Sequence, residues 1–276
     1  MENTEKIYKS FLDEYGSEDA VRKYTTETAG YGISYLLRHD YANVYLNAVH
    51  SYLRTNPQRP LRVLEFGCGG GMNIITLISL LAKKGIPVER AYGTDFSDRL
   101  VQSAQKEAQN LLSPELSSKL SFHVATNEKL AEDLAASEGK KAADLAGYFD
   151  LIIGVNTFRY CHRLKKENDT AADIYRLLRP GGVCVNIDMN NRFPVFRSKL
   201  RGTVEDPAEA YVPTLEEYAT PFKLAGFELI KKKHFCWIPH SAGRGLTYAC
   251  LFLSPLFSVF AGSRAMRSLV VARKPA

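Results

Sequence analysis

The chain has no C-x-x-C pair, no uninterrupted apolar run of 18 residues, no internal repeat and no low-complexity tract. Each absence excludes something. Without paired spacing, Cys68, Cys161, Cys184, Cys236 and Cys250 indicate neither a zinc site nor a disulfide framework, so a reducing cytoplasm is the expected setting. The opening MENTEKIYKS lacks the apolar core of a secretory leader, and no run has the length expected of a membrane span. A long basic tract or added RNA-binding module is also missing. The formal charge of +6 falls in short clusters, Lys231 to Lys233 and Arg192 to Arg201, which read as solvated faces or as contacts for an anionic substrate or headgroup.

What is present is ordinary for a globular protein: 45% hydrophobic and 24% charged residues in a chain of 276, enough for one large α/β domain with additions. The stretch LRVLEFGCGGGMN organises the rest. Leu61, Val63, Leu64 and Phe66 form the apolar run of a strand buried on both faces, and Gly67, Gly69, Gly70 and Gly71 precede an apolar helical pattern. Glycine at such a turn takes positive φ and lets a ligand lie against the main chain, beside the unpaired N–H groups of a helix start. Met72 stands where a dinucleotide fingerprint places its third glycine, which argues against a nicotinamide-dependent oxidoreductase. Glu65, at the end of the strand, suits a ligand carrying an ammonium group. Asp95 in AYGTDFS follows at the interval after which an acid meets a ribose.

These stretches, with Y-F-D-L-I-I-G at 148 to 154 and L-L-R-P-G-G at 177 to 182, resemble the class I S-adenosylmethionine-dependent methyltransferases over roughly Arg62 to Lys274. The resemblance implies a Rossmann-like seven-stranded α/β sheet with helices on both faces, strand seven lying between five and six. It implies S-adenosylmethionine as cofactor, S-adenosylhomocysteine as product, and no metal. Residue by residue, it assigns Glu65 to the methionine ammonium, the turn Gly67, Cys68, Gly69 and Gly71 to its backbone, Asp95 to the ribose and Phe96 to the adenine face. Thr126 or Asn127 meets the adenine edge, where the usual acid is missing. Asn156, at the end of strand four, lies beside the transferring methyl group, without the N-P-P-Y motif of amide and adenine methyltransferases.

Acceptor chemistry is expected in NTFRYCHRL: His162 as a general base, Tyr160 packing on or orienting the acceptor, and Arg159 contacting it. Asp188, at the end of strand five, is a further acceptor-lining candidate. By analogy with the family, an N-terminal helical cap over residues 1–58, with a polar, frayed first 16 residues, contributes Tyr24, Tyr31 and Arg38. The core is expected over 59–276, with insertions 189–213 and 239–267 as a substrate lid. The second insertion contains LTYACLFLSPLFSVF, read as two short helices broken at Pro255 and too short to span a bilayer.

The expected activity is methyl transfer by in-line displacement to a small, partly apolar acceptor, lipophilic or aromatic, with O-, N- and C-methylation all open. No nucleic-acid partner is favoured; peripheral membrane contact and oligomeric state are left open. The alternatives are an RNA methyltransferase and a non-catalytic cofactor-binding or interaction protein.

Overall fold

The computed structural model describes residues 9–11, 13, 15, 17–18, 31–56, 59–197, 211–238 and 243–276. Its seven strands are β1 (Leu61–Phe66), β2 (Val88–Asp95), β3 (Leu120–Val124), β4 (Phe149–Val155), β5 (Leu178–Met189), β6 (Glu228–Phe235) and β7 (Arg267–Arg273). They form one sheet in the order β3-β2-β1-β4-β5-β7-β6. β1 pairs in parallel with β2 and β4, and β4 with β5, whereas β7 runs antiparallel between β5 and β6. All seven residues of β4 are buried, as a central strand covered on both faces requires. This is the seven-stranded sheet implied by the sequence.

Among the described residues, the helices of six or more residues that position the sheet are α1 (Tyr31–Leu53), α2 (Met72–Lys83), α3 (Asp98–Leu111), α4 (Leu130–Ser137), α5 (Phe158–Arg163), α6 (Glu167–Leu177), α7 (Leu215–Leu224) and α8 (Arg244–Ala261). α1 and α2 cover one face of the sheet, and α4, α6 and α7 cover the other. Tyr41, Tyr45, Ala48, Val49 and Tyr52 recur at helical spacing on α1 and are buried in the same cluster as Leu61, Leu151 and Val185. Asp150, fully buried near the start of β4, accepts from Tyr52, takes the Arg62 N–H at 2.7 Å and pairs with Arg179 at 2.8 Å. That carboxylate ties α1 to the sheet at the edge opposite the glycine turn.

Two expectations about peripheral segments need correction. Phe11 and Tyr15, in a stretch read as polar and frayed, are 5% and 8% exposed and pack with Leu100, Phe96 and Tyr160. The connection between β6 and β7 contains one continuous helix, α8, with Pro255 inside it. Proline removes one backbone donor and crowds the carbonyl four residues back, at a cost of about 3 kcal/mol. The remaining turns continue, and the hydroxyls of Thr247 and Ser258 donate to the carbonyls of Gly243 and Ser254. The segment Gly245–Arg264 is also long and apolar enough, by length and composition, to cross a bilayer, which overturns the length argument made from uninterrupted runs.

Candidate active site

The strands' carboxyl ends gather the candidates on one rim. At the end of β1 the chain turns through Gly67 (φ +59°), Gly69 (φ +53°) and Gly71 (φ +77°) into α2. A Cβ on Gly67 would lie 2.0 Å from Thr157 Oγ1, so the turn sits directly against the chain leaving β4. The Cys68 N–H donates to the Thr94 carbonyl at 2.7 Å, holding the turn against β2. Burial, with Asp95 and Glu65 nearby, pushes the Cys68 thiol well up, which keeps it a neutral packing group.

Asp95 closes the turn from the other side. Its Oδ2 accepts from Gly69 N–H at 2.9 Å and its Oδ1 from Ser97 N–H at 3.0 Å. Burial raises its pKa, an effect opposed by the hydrogen bonds from Ser97, Gly69 and Phe96. Each oxygen has lone pairs left for hydroxyl donors. Glu65 is fully buried, and its Oε2 accepts from Ile74 N–H at 2.8 Å. Because Gly71 offers no side-chain cap, Glu65 serves an orphan donor of α2 from the neighbouring strand.

After β3, Thr126 turns toward α4: its N–H and hydroxyl both donate to Asp133 Oδ2, at 2.9 and 2.8 Å. Asn127 instead donates through Nδ2 to Thr157 Oγ1 at 2.8 Å. Thr157, passed over in the sequence, therefore joins the glycine turn to Asn127. Its position immediately after Asn156 was the available signal.

Asn156 adopts φ +57°, a conformation that Asn tolerates, and its Oδ1 accepts from Arg267 Nη1 at 2.9 Å. Arg267, the first residue of β7, is 1% exposed and 111 positions away from Asn156; no local pattern marks it. Arg159 places its backbone N–H 3.0 Å from Asp188 Oδ2 and its Nη1 3.7 Å from Asp188 Oδ1. Asp188 is fully buried. Burial raises its pKa, while Arg159, the Met189 and Arg159 N–H groups and Arg267 act in the opposite direction. Beside them, Tyr160 receives the Arg159 Nη2 at 2.5 Å, meets the Tyr15 hydroxyl and packs edge-on against Phe11. Tyr15 also packs edge-on against Phe96 at 5.9 Å, so the N-terminal segment bridges the two regions assigned to adenine and acceptor.

His162 is not placed as a general base needs to be. It is 5% exposed, with its ring edge-on to Phe158 and Tyr218, and neither ring nitrogen has a hydrogen-bond partner among the described residues. Burial pushes its pKa down to about 4, leaving a neutral, weakly basic imidazole. We expect His162→Phe to keep turnover within about twofold and stability unchanged or up to about 1 kcal/mol higher, since unpaired buried polar atoms are removed. A loss of 100-fold or more per folded molecule, measured beside thermal unfolding, would restore the base assignment. Tyr24 lies outside the described residues; Tyr31 and Arg38 lie on α1, and their side chains are outside that set as well.

The sheet order and this rim define a class I S-adenosylmethionine-dependent methyltransferase. A methyltransferase-domain family model matches residues 37–238, and the chain belongs to that family. A non-reducing polyketide synthase of Talaromyces marneffei is 31% identical over 139 residues, 50% of this chain but only 4% of that relative's length. Among solved structures, the CMeT domain of a citrinin polyketide synthase is similar with a TM-score of 0.51 and 17% identity, covering 79% of this chain and 47% of that one. The geranyl diphosphate C-methyltransferase of Streptomyces coelicolor gives 0.53 and 14%, covering 86% and 79%. The chain accordingly carries a methyltransferase domain of that class, and it spans about one twenty-fifth of the length of the polyketide synthase it matches.

Proposed function

We propose that this enzyme methylates a carbon next to a carbonyl in a small, partly apolar acceptor of the polyketide kind. The observation that carries the reading is the convergence of Arg159 and Arg267 on Asp188 and Asn156 at the end of β4. Polyketide synthases among the relatives and C-methyltransferases among the similar structures support the choice of carbon.

The residues present fit the cofactor: the turn at Gly67 has no room for a Cβ, and Asp95 offers acceptors at the end of β2. In this assignment Gly67 to Gly71 lie along the amino-acid part, Asp95 holds the ribose, Phe96 flanks the adenine and Asn127 meets its edge. Glu65 acts from behind, fixing the start of α2. When bound, S-adenosylmethionine supplies an electrophilic methyl group on a sulfonium. The chain's own contribution is to align the acceptor, exclude water and favour the anionic form of the acceptor. An acidic carbon must first pass a proton to solvent water, leaving the charge on the carbonyl oxygen; as the carbon then takes the methyl, the sulfonium leaves as the neutral thioether of S-adenosylhomocysteine. A buried guanidinium beside that oxygen stabilises it more than water would. Phe11, Tyr15 and Tyr160 give the rim an apolar side. In this reading the enzyme works in the cytoplasm, meeting a lipophilic acceptor at a membrane surface.

Replacing Asp95 with alanine is expected to weaken S-adenosylmethionine binding by about 1–3 kcal/mol, through loss of charge-assisted hydrogen bonds; unchanged affinity in calorimetry would remove the ribose assignment. The acceptor reading is tested by incubating the enzyme with methyl-labelled cofactor and a panel of a β-keto thioester, a phenol and an amine. Label appearing on the carbon between the carbonyls supports it. Label appearing only on oxygen or nitrogen overturns it.

A further inference from the structure

Helix α8 carries large apolar side chains that no other described residue covers. Phe252 is 84%, Val259 79% and Phe260 80% exposed, and Leu246, Tyr248 and Leu256 are each more than half exposed. Its inner side is anchored: Thr247 is fully buried, and Cys250 and Leu251 pack against the main core.

The chain around the helix is basic. From Leu229 to Ala276 there are eight Lys or Arg residues and no Asp or Glu. Lys231 and Lys233, on the edge strand β6, line an open groove with Ser254 and Ser258 of α8, and Asp40 is the only acid among the described residues of that lining. Trp237, the one tryptophan of the chain, lies at the same junction, its ring 5.5 Å from Phe257 and its Nε1 3.3 Å from Ser258 Oγ. Exposed apolar side chains, flanking lysines and an interfacial indole are what an anionic bilayer surface binds.

Length and composition alone would also allow α8 to cross a bilayer, but its connections forbid it. Phe235 at the end of β6 pairs with Arg267 at the start of β7, and Met266 N–H donates to the Cys236 carbonyl at 2.8 Å. Only residues 262–266 lead from the end of α8 back to that point. Five residues reach at most about 18 Å, and the seven residues 237–243 that lead from Cys236 into α8 at most about 25 Å, whereas the hydrocarbon core is about 30 Å thick. With β7 paired, both ends of α8 stay on one side of the membrane. Because β6 and β5 are both antiparallel to β7, β6 ends on the same rim as Asp188, so α8 borders the active-site edge.

We propose that α8 is an in-plane anchor that seats the active-site rim on an anionic lipid bilayer. The inference concerns a surface rather than the acceptor, so its test needs no acceptor. The purified full chain is mixed with vesicles of phosphatidylcholine alone or with phosphatidylglycerol added, and Trp237 fluorescence is followed with lipids brominated near the headgroup or at the chain end. The expected results are binding to the anionic vesicles that weakens with salt, a blue shift, and stronger quenching by the shallow bromines. Phe252→Ser, Val259→Ser and Phe260→Ser combined should lower partitioning by about tenfold or more, with unchanged S-adenosylmethionine affinity showing that the protein is folded. Lys231→Gln and Lys233→Gln should each lower it by about fivefold. Three outcomes would overturn the proposal. These are no binding to either vesicle, alkali-resistant insertion with deep quenching, or a sedimenting dimer that the serine variant dissolves, which would assign the face to a second copy of this chain.

Discussion

Asp188→Ala is expected to destabilise the protein by about 3–5 kcal/mol, because it leaves the Arg159 guanidinium, only 18% of whose side chain is exposed, without its nearest counter-charge. Asp188 is fully buried and accepts from the N–H groups of Arg159 and Met189, at 3.0 and 2.8 Å, as well as facing the Arg159 guanidinium. One substitution therefore removes an ion-pair partner and the acceptor of two backbone N–H groups at the junction of β4, α5 and β5. Asp188→Asn keeps the shape and part of the hydrogen bonding but loses the charge, so its cost should be smaller. It also provides a folded variant if the alanine protein cannot be purified. Urea unfolding of the pair reads the difference. Costs under about 1 kcal/mol for both would mean that the buried carboxylate does not hold the rim together.

Gly67→Ala should abolish useful cofactor affinity, by at least about tenfold, through two effects acting together. At φ +59° a non-glycine residue is strained by about 1–3 kcal/mol, and the added methyl would also overlap Thr157, 2.0 Å from its Oγ1 and 2.6 Å from its Cβ. Thr157 cannot retreat cheaply, because it also accepts from Asn127 and starts α5. Either the turn or the end of β4 must move, and both border the same cofactor. Gly85 provides the control. It has φ +67° but open space around its Cβ position, so Gly85→Ala should cost some stability and leave cofactor affinity unchanged. Equal affinities for Gly67→Ala and wild type would show that the close approach at Gly67 is not required.

The parts of this fold that sequence made legible are those fixed by short-range pattern. The apolar run of β1, the glycine turn and the acid at the end of β2 are each specified within a few residues. Their order was enough to imply the sheet. The acceptor side was not legible, because it is made by residues far apart in the chain: Tyr15 with Tyr160, Asn156 with Arg267, Arg159 with Asp188. Side-chain type suggested a base at His162, but the phase of α5 turns that ring into the apolar layer with Phe158 and Tyr218. Its place at the end of β1 suggests Glu65 as a ligand group; the missing cap on α2 gives it in addition a structural task that only the three-dimensional arrangement reveals. Intrinsic propensity marks Pro255 as a break, but Cys250 and Leu251 on the core before it and the contacts of Trp237 with Phe257 and Ser258 after it hold the helix through.

The central claim is that the rim from Gly67 to Asn156 holds S-adenosylmethionine. It is tested most directly by calorimetric titration of the purified protein with that cofactor and, separately, with NADH. The account predicts binding of S-adenosylmethionine in the micromolar range, weakened in Asp95→Ala and lost in Gly67→Ala, with no heat from NADH. A folded protein that binds NADH, or that does not bind S-adenosylmethionine, would contradict it.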